Sequence, residues 1–466
     1  MIVLLQYRMQ NSQFLPPLLF ALYMIGFAYG LGVVLSWWEA GLLGLTLLGL
    51  YCVSGRYVRR VFGAMVSMVA VWGLFFRYFH RELYPADLYL FWTHISETFE
   101  SLGALHALFL PTLLGILVGI LLWWKIPKVV RCRNKGWWGI TAVSLPLALW
   151  SLPPLSPLKA LVHLPFIRTT TLSNTSALQR PLYPKRATDY HLFILIGESM
   201  RYDSYIEAKL KGLGKAVFSK KIYAGATNTD VSVPLFINGA YTTKRLSKKS
   251  SKNLFVLAKK NGYQTAFISI QTDKALHYIR PYLQPEAIDY YRTFSKAQRH
   301  PQYDILLLQQ LQQRDFSTKQ FIVMQQIGEH APYRYYKNAP RSGSITAHYY
   351  RAVDESFRLY RLLIGSLRQK GDPFIFIYLS DHGECIGEEG RYGHNAFVPK
   401  VYEVPFFITA NIPLPKGYKS IRSHYELSAY VRYLLGYGDA ISIDKRPVRV
   451  NGTMLSGEDG FLEILR

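Results

Sequence analysis

Four short polar clusters in this 466-residue chain carry residue types that can do chemistry together. Gly197-Glu198-Ser199, Gly328-Glu329-His330 and Ser380-Asp381-His382-Gly383-Glu384 each follow a continuous apolar run. The fourth, from Thr227 to Pro234, sets Thr227, Thr229 and Ser232 around Asp230. Carboxylate oxygens from Glu198 and Asp381 with an imidazole nitrogen of His382 form a donor set suited to zinc, or to manganese where oxygen dominates. A catalytic metal keeps an open position, and a threonine hydroxyl, weak at its free pKa, is activated by metal coordination. Metal, hydroxyl and nearby imidazoles suit phosphoryl or sulfuryl transfer, in which the metal stabilises charge and orients an in-line displacement. His330 and His394 lie on the same polar edges, suited to hold phosphate oxygens or a second metal, or to protonate a leaving alkoxide. Glu384, Glu388 and Glu389 read as a solvated loop with at most one helix cap. Thr and Ser also cap helices and fill turns, and that alternative stands for the 227–232 segment taken by itself.

The elements that must position these groups are legible from Asp189 onward. The runs YHLFILIGES, QTAFISIQ, KQFIVMQQIGEH and PFIFIYLSDHGE are apolar throughout, and VPFFITA reads as a last strand. Between them, NLFVLAKKNGY and YDILLLQQLQQ read as helices. A long helix follows, with Val353, Phe357, Tyr360, Ile364 and Leu367 on one face at the spacing of a buried stripe. Apolar strands alternating with helices imply a mostly parallel sheet covered on both faces, with ligands at the carboxyl ends of the strands. Three of the four polar clusters fall at such ends.

Composition divides the chain. Residues 1–152 are mostly apolar, with five expected membrane helices near Phe14–Ser36, Glu39–Ser54, Val61–Phe76, Leu105–Trp124 and Trp137–Leu152. Basic loops hold Arg56, Arg59 and Arg60 and, later, KIPKVVRCRNKG; both should face the cytoplasm, which places everything beyond Leu152 outside. Residues 153–188, rich in proline with an apolar patch LKALVHLPFI, read as an interfacial linker, and 189–466 as the water-exposed domain. A formal net charge of +24 asks for an anionic partner, either a membrane surface or a phosphorylated glycolipid. Nucleic acid is disfavoured, since no zinc-finger spacing, RNP-like aromatic motif or basic helix is present. Of three cysteines, only Cys385 falls in the polar domain, which therefore holds no internal disulfide.

In this order, ILIGESMRYDSY, TNTDVSVPLF, QIGEHAPY and YLSDHGECIGEEGRYGHN resemble the bacterial phosphoethanolamine transferases of the sulfatase/alkaline-phosphatase superfamily. These are inner-membrane enzymes that modify lipid A or lipopolysaccharide core sugars. The resemblance implies an N-terminal helical transmembrane domain of about five helices and a periplasmic α/β/α sulfatase-like catalytic domain. It implies Thr229 as the metal-bound nucleophile, Glu198, Asp381 and His382 as zinc ligands, and His330 and His394 near substrate phosphate. Lys274 is matched to a substrate-contacting lysine. One zinc is expected to be firmly held, with a second as an open alternative and manganese less favoured. The implied reaction runs in two steps: Thr229 takes phosphoethanolamine from phosphatidylethanolamine, and a lipopolysaccharide hydroxyl or phosphate then accepts it.

The sequence departs from the family at Leu235, where a cysteine is usual, and at GEHAPY, which replaces a Ser-His-Gly-Pro form. These differences leave the acceptor open between lipid A and core sugar. The nearest rival is a phosphoglycerol transferase using phosphatidylglycerol. A sulfatase-like hydrolase is less favoured because no Cys-x-Pro-x-Arg motif occurs, and an inactive, metal-free binding module is disfavoured by the retained Thr229, Glu198, Asp381 and His382.

Overall fold

The computed structural model describes residues 182–339, 342–438, 446–457 and 459–465, together with 42, 45, 46 and 142–144. The five expected membrane spans and the interfacial linker lie almost wholly outside these residues. Six helical residues belong to the second and fifth spans, where the Thr46 hydroxyl donates to the carbonyl of Leu42 at 2.8 Å and approaches that of Ser144 at 3.4 Å. Among the described residues, no helix is long and apolar enough to cross a membrane. Backbone contacts divide the chain into units 1–169 and 170–466, and the second is described here.

Its centre is β1 (His191–Gly197), seven residues of which all are buried. Both faces of β1 are apolar, so it must be covered twice, and it pairs in parallel on both edges, with β5 (Gln320–Gln325) and with β6 (Phe374–Ser380). Together with β2 (Val217–Tyr223), β3 (Gln264–Ser269), β4 (Tyr290–Arg292) and β9 (Glu403–Ala410), these strands build a seven-stranded sheet ordered β2-β9-β6-β1-β5-β3-β4. The run β6 to β4 is parallel; β9 runs antiparallel to it, and the edge strand β2, antiparallel to β9, returns to the common direction. The sheet is thus mostly parallel, as the sequence suggests. Two-stranded ribbons join β7 (Cys385–Ile386) to β8 (Tyr392–Gly393) and β10 (Val448–Asn451) to β11 (Phe461–Ile464).

Helices cover both faces. On one side, α2 (Thr229–Asn238), α3 (Leu254–Lys260) and α6 (His424–Leu434) share a core with Leu192, Ile194 and Ile196 of β1. On the other, α1 (Ser204–Lys211), α4 (Ile305–Gln312) and α5 (Ile345–Lys370) pack on Phe193 and Leu195. The expected stripe on α5 is buried at all five positions. Alternation along one strand therefore feeds two separate cores.

Ile194 is fully buried at the middle of the sheet, beside Val323 and Ile377. Ile194→Ala leaves a cavity that tightly packed neighbours cannot fill, and should lower unfolding free energy by about 2–5 kcal/mol. Pulse proteolysis of the full chain across a urea series measures this; an unchanged midpoint would contradict the central placement of β1.

Candidate active site

Parallel pairing of β1 with β6 sets Gly197 opposite Ser380, so the residues that follow, Glu198 and Asp381, emerge side by side at one sheet edge. Gly197 is required there, because a Cβ would lie 2.3 Å from the Tyr378 hydroxyl. Ser199 adopts a left-handed backbone, φ 59°, which costs a non-glycine residue energy and turns its N–H onto Asp381 Oδ1 at 3.0 Å. The Ser199 hydroxyl donates to Glu198 Oε1 at 3.1 Å. Beyond His382, Gly383 passes so close to the Lys400 carbonyl that a Cβ would stand 2.2 Å from it.

Opposite these strand ends, α2 begins at Thr229. Asn228 caps it in extended conformation, its Oδ1 accepting from the Val231 N–H at 3.2 Å, so Thr229 occupies the first helical position. The positive end of the helix dipole points at this hydroxyl, which favours negative charge there. Thr229 is half-buried, whereas Glu198, Asp381 and His382 are at most 1% exposed. Their atoms converge on one oxygen. Thr229 Oγ1 lies 2.6 Å from Asp381 Oδ2, 3.2 Å from each Glu198 oxygen and 3.1 Å from His382 Nε2.

A single hydroxyl proton cannot serve three carboxylate oxygens, so the cluster is short of positive charge. The protonation balance says the same. Burial alone would lower the His382 pKa, but the carboxylates of Asp381 and Glu198 outweigh it and lift it to about 10. Burial, reinforced by the Glu198 charge, pushes Asp381 up to about 7. Glu198 is held below the usual carboxylate range: burial opposes this, and the hydrogen bond and charge of His382 prevail. Two buried carboxylates thus draw a proton onto the imidazole, where a divalent cation would supply the same compensation. The ligand atoms of Glu198, Asp381 and His382 all lie within 4.8 Å of one another, compact enough for one ion. The donor set fits a metal of the zinc class.

Further residues hold this set. Gln271, two residues past β3, donates from Nε2 to Glu198 Oε2 at 2.6 Å. The Ser232 hydroxyl donates to the Asp381 carbonyl at 2.6 Å, and beside it His424 Nδ1 accepts the Gly225 N–H at 3.1 Å. Burial pushes His424 down to about 3, so it stays neutral and keeps that acceptor. Gln271 terminates an apolar strand run, a signal that the sequence carries; His424, in the first turn of α6, gives none.

The histidine loops are also placed. The rings of His394 and His382 lie 4.3 Å apart between centroids, and the Asn395 N–H donates to the Thr227 carbonyl at 3.1 Å. His330 sits where its charge acts on Glu198 and Glu384, its Nδ1 2.7 Å from the Ala331 carbonyl. Lys274 is exposed on the loop after β3, and no side-chain hydrogen bond or ion pair ties it to the cluster among the described residues.

Two expectations change. Glu384 and Glu388 are not a solvated loop: Glu384 is 2% exposed, with burial pushing its carboxyl up to about 7, and Glu388 pairs with buried Arg201, which also contacts Asp203 at 3.0 Å. The Glu-rich spacing looks hydrophilic because the partner, Arg201, is remote in sequence. Glu329 likewise does not deliver its acid to the cluster. Its carboxyl turns to α5 and accepts from the Ser356 hydroxyl at 2.7 Å, leaving only its backbone N–H on the Glu198 carbonyl.

A model described as sulfatase matches residues 191–437, more than half the chain. The chain is 23% identical over 256 residues to the low-salt glycan biosynthesis sulfotransferase of Haloferax volcanii, covering 51% of this chain and 59% of that protein. It is 37% identical over 73 residues to phosphoethanolamine transferase EptA of Helicobacter pylori, covering 15% and 14%. The matches thus span less than two thirds of either curated relative. In fold, it resembles the integral membrane lipooligosaccharide phosphoethanolamine transferase A of Neisseria meningitidis, with TM-score 0.57 and 14% identity over 93% of this chain and 96% of that one.

Glu329 offers a pH test of the site's scaffold. Burial first, then the nearby charges of Asp304 and Glu198, hold its carboxyl well above the ordinary range, against the Ser356 hydrogen bond. A carboxyl whose folded pKa is raised stabilises fully below its unfolded pKa, and that contribution is lost as pH rises through the folded value. Glu329→Gln should therefore match the parent near pH 4 and exceed its urea midpoint at pH 8; parallel pH profiles for the two proteins would contradict the neutral-acid assignment.

Proposed function

The chain belongs to the sulfatase family, and on that premise we propose that it is an inner-membrane transferase with its catalytic domain in the periplasm. It moves phosphoethanolamine from phosphatidylethanolamine to lipopolysaccharide, at core sugar or lipid A. The observation that carries this reading is the Thr229 hydroxyl, half-exposed at a helix N-terminus and enclosed by Glu198, Asp381 and His382 at 2.6–3.2 Å. A sulfatase-family domain with a threonine at this point suits transfer through a covalent ester.

In this proposal, Glu198, Asp381, His382 and Thr229 hold zinc. When bound, the metal supplies positive charge that favours ionisation of a hydroxyl and draws charge from a reacting phosphoryl group. Thr229, 2.6 Å from Asp381 Oδ2, attacks the donor phosphorus in line, its hydroxyl proton being released to solvent when the cluster holds a cation. The phosphorus–oxygen bond to diacylglycerol breaks, and His330 or His394 protonates the departing alkoxide. Phosphoethanolamine remains esterified to Thr229 until an acceptor hydroxyl attacks the same phosphorus, giving its proton to the histidine that lost one, and the bond from phosphorus to Thr229 Oγ1 breaks. The α2 dipole and the buried donors act alike in both steps, because each develops charge at the same place. Lys274 faces the substrate from the loop after β3.

Mass spectrometry of glycolipid from cells carrying the parent or Thr229→Ala tests this. A phosphoethanolamine increment should appear with the parent and fall at least about 1,000-fold in the variant, as loss of a nucleophile does. Separating lipid A from core oligosaccharide identifies the acceptor. A glycerophosphate increment instead would move the donor to phosphatidylglycerol, and equal transfer by both proteins would remove Thr229 from the mechanism. Asp381→Asn should lower zinc content after dialysis, and full retention would remove Asp381 as a ligand.

A further inference from the structure

The chain leaves α2 through Gly239, φ 56°, and within a few residues enters a stretch, Lys244 to Lys252, with five cations and no acid. Lys244, Arg245, Lys248, Lys249 and Lys252 are all exposed, and no ion pair engages them among the described residues. Beside them opens a cavity of about 220 Å³ whose lining includes Lys244, Arg245, Lys252, Tyr241 and Tyr425 and contains no acidic residue. The two tyrosine rings meet edge to face at 5.4 Å, and the Arg446 guanidinium lies 4.5 and 4.8 Å from their centroids. Local stability does not call for this charge. Lys248, Lys249 and Lys252 precede Asn253, the N-cap of α3, at the helix end whose field repels cations.

We propose that this basic rim and its cavity are a docking surface for the phosphodiester headgroups of anionic phospholipid in a bilayer. Phosphate oxygens meet Lys244, Arg245 and Lys252, and Tyr241 and Tyr425 lie at headgroup level, where aromatic rings with a polar tip are favoured. Clustered cations with no local acid match the sign of such a surface, and an uncompensated cluster loses its mutual repulsion there. The surface lies about 15 Å from the Thr229 end of α2, the length of that ten-residue helix. The inference rests on the membrane placement proposed above.

The test uses the full chain in lipid nanodiscs of phosphatidylcholine alone or with one third phosphatidylglycerol. Acetylation rates of the individual lysines are read by mass spectrometry, with exposed Lys215 as internal reference. Lys244, Lys248, Lys249 and Lys252 should react at least about 5-fold more slowly in the anionic discs at low salt and lose that protection near 0.5 M salt, where screening is short-ranged. Equal rates in the two discs would overturn the proposal, as would equal protection by soluble glycerol phosphate in phosphatidylcholine discs, which would assign the cavity to a free phosphate. A chain that does not co-migrate with discs of either composition would sink the membrane placement and this inference together; co-migration without protection would sink this inference alone.

Discussion

Two carboxylates buried against each other, Glu198 and Asp381, set the terms for the rest of this domain. Both are shut off from water, and their charge is met by one imidazole, the hydroxyls of Ser199 and Thr229, and the Gln271 amide brought from a distant part of the chain. Placing two anions together in a low-dielectric interior is tolerable only where positive charge arrives with them. The register of β1 against β6 fixes where the acids emerge, and the absence of a Cβ at Gly197 permits that register beside Tyr378. Strain at Ser199 is the local cost of aiming an N–H at Asp381.

The sheet makes this concentration of charge affordable. Its parallel strands are buried on both faces, so the polar groups gather at the strand ends, where backbone N–H groups and helix N-termini are available. The side of α2, α3 and α6 supplies the hydroxyl and His424; the side of α5 supplies Ser356 and the tyrosines around Arg201. The site thus lies where two separate cores meet the same three strands.

Much of this is legible in the sequence because the controlling patterns are local. Apolar runs of six to eight residues gave β1, β3, β5, β6 and β9, and the stripe from Val353 to Leu367 gave α5. Glu198, Asp381 and His382 are legible because they follow such runs, and Thr229 because it stands in the hydroxyl cluster of residues 227–232. Edge strand β2 was not, since VFSKKIY is largely half-buried and carries two lysines, with no alternation to separate it from a loop. The partners of Glu329, Glu384 and Glu388 were hidden for a different reason: Ser356 and Arg201 are far away in sequence, and pairing across the fold leaves no mark on local composition. His424 acts through the contacts of its Nδ1 with the Gly225 N–H and the Ser232 hydroxyl, which residue type alone does not announce.

Cys385 opens β7, 4% exposed, directly after the acidic cluster, and burial pushes its thiol up to about 12. At neutral pH the buried thiol stays protonated, so it is a poor target for oxidants and alkylating reagents. It is also the only cysteine between Asp189 and the chain end. The catalytic fold therefore has no cross-link to form, shuffle or lose: it can mature without oxidative-folding enzymes, and its integrity is indifferent to the thiol–disulfide balance of its surroundings.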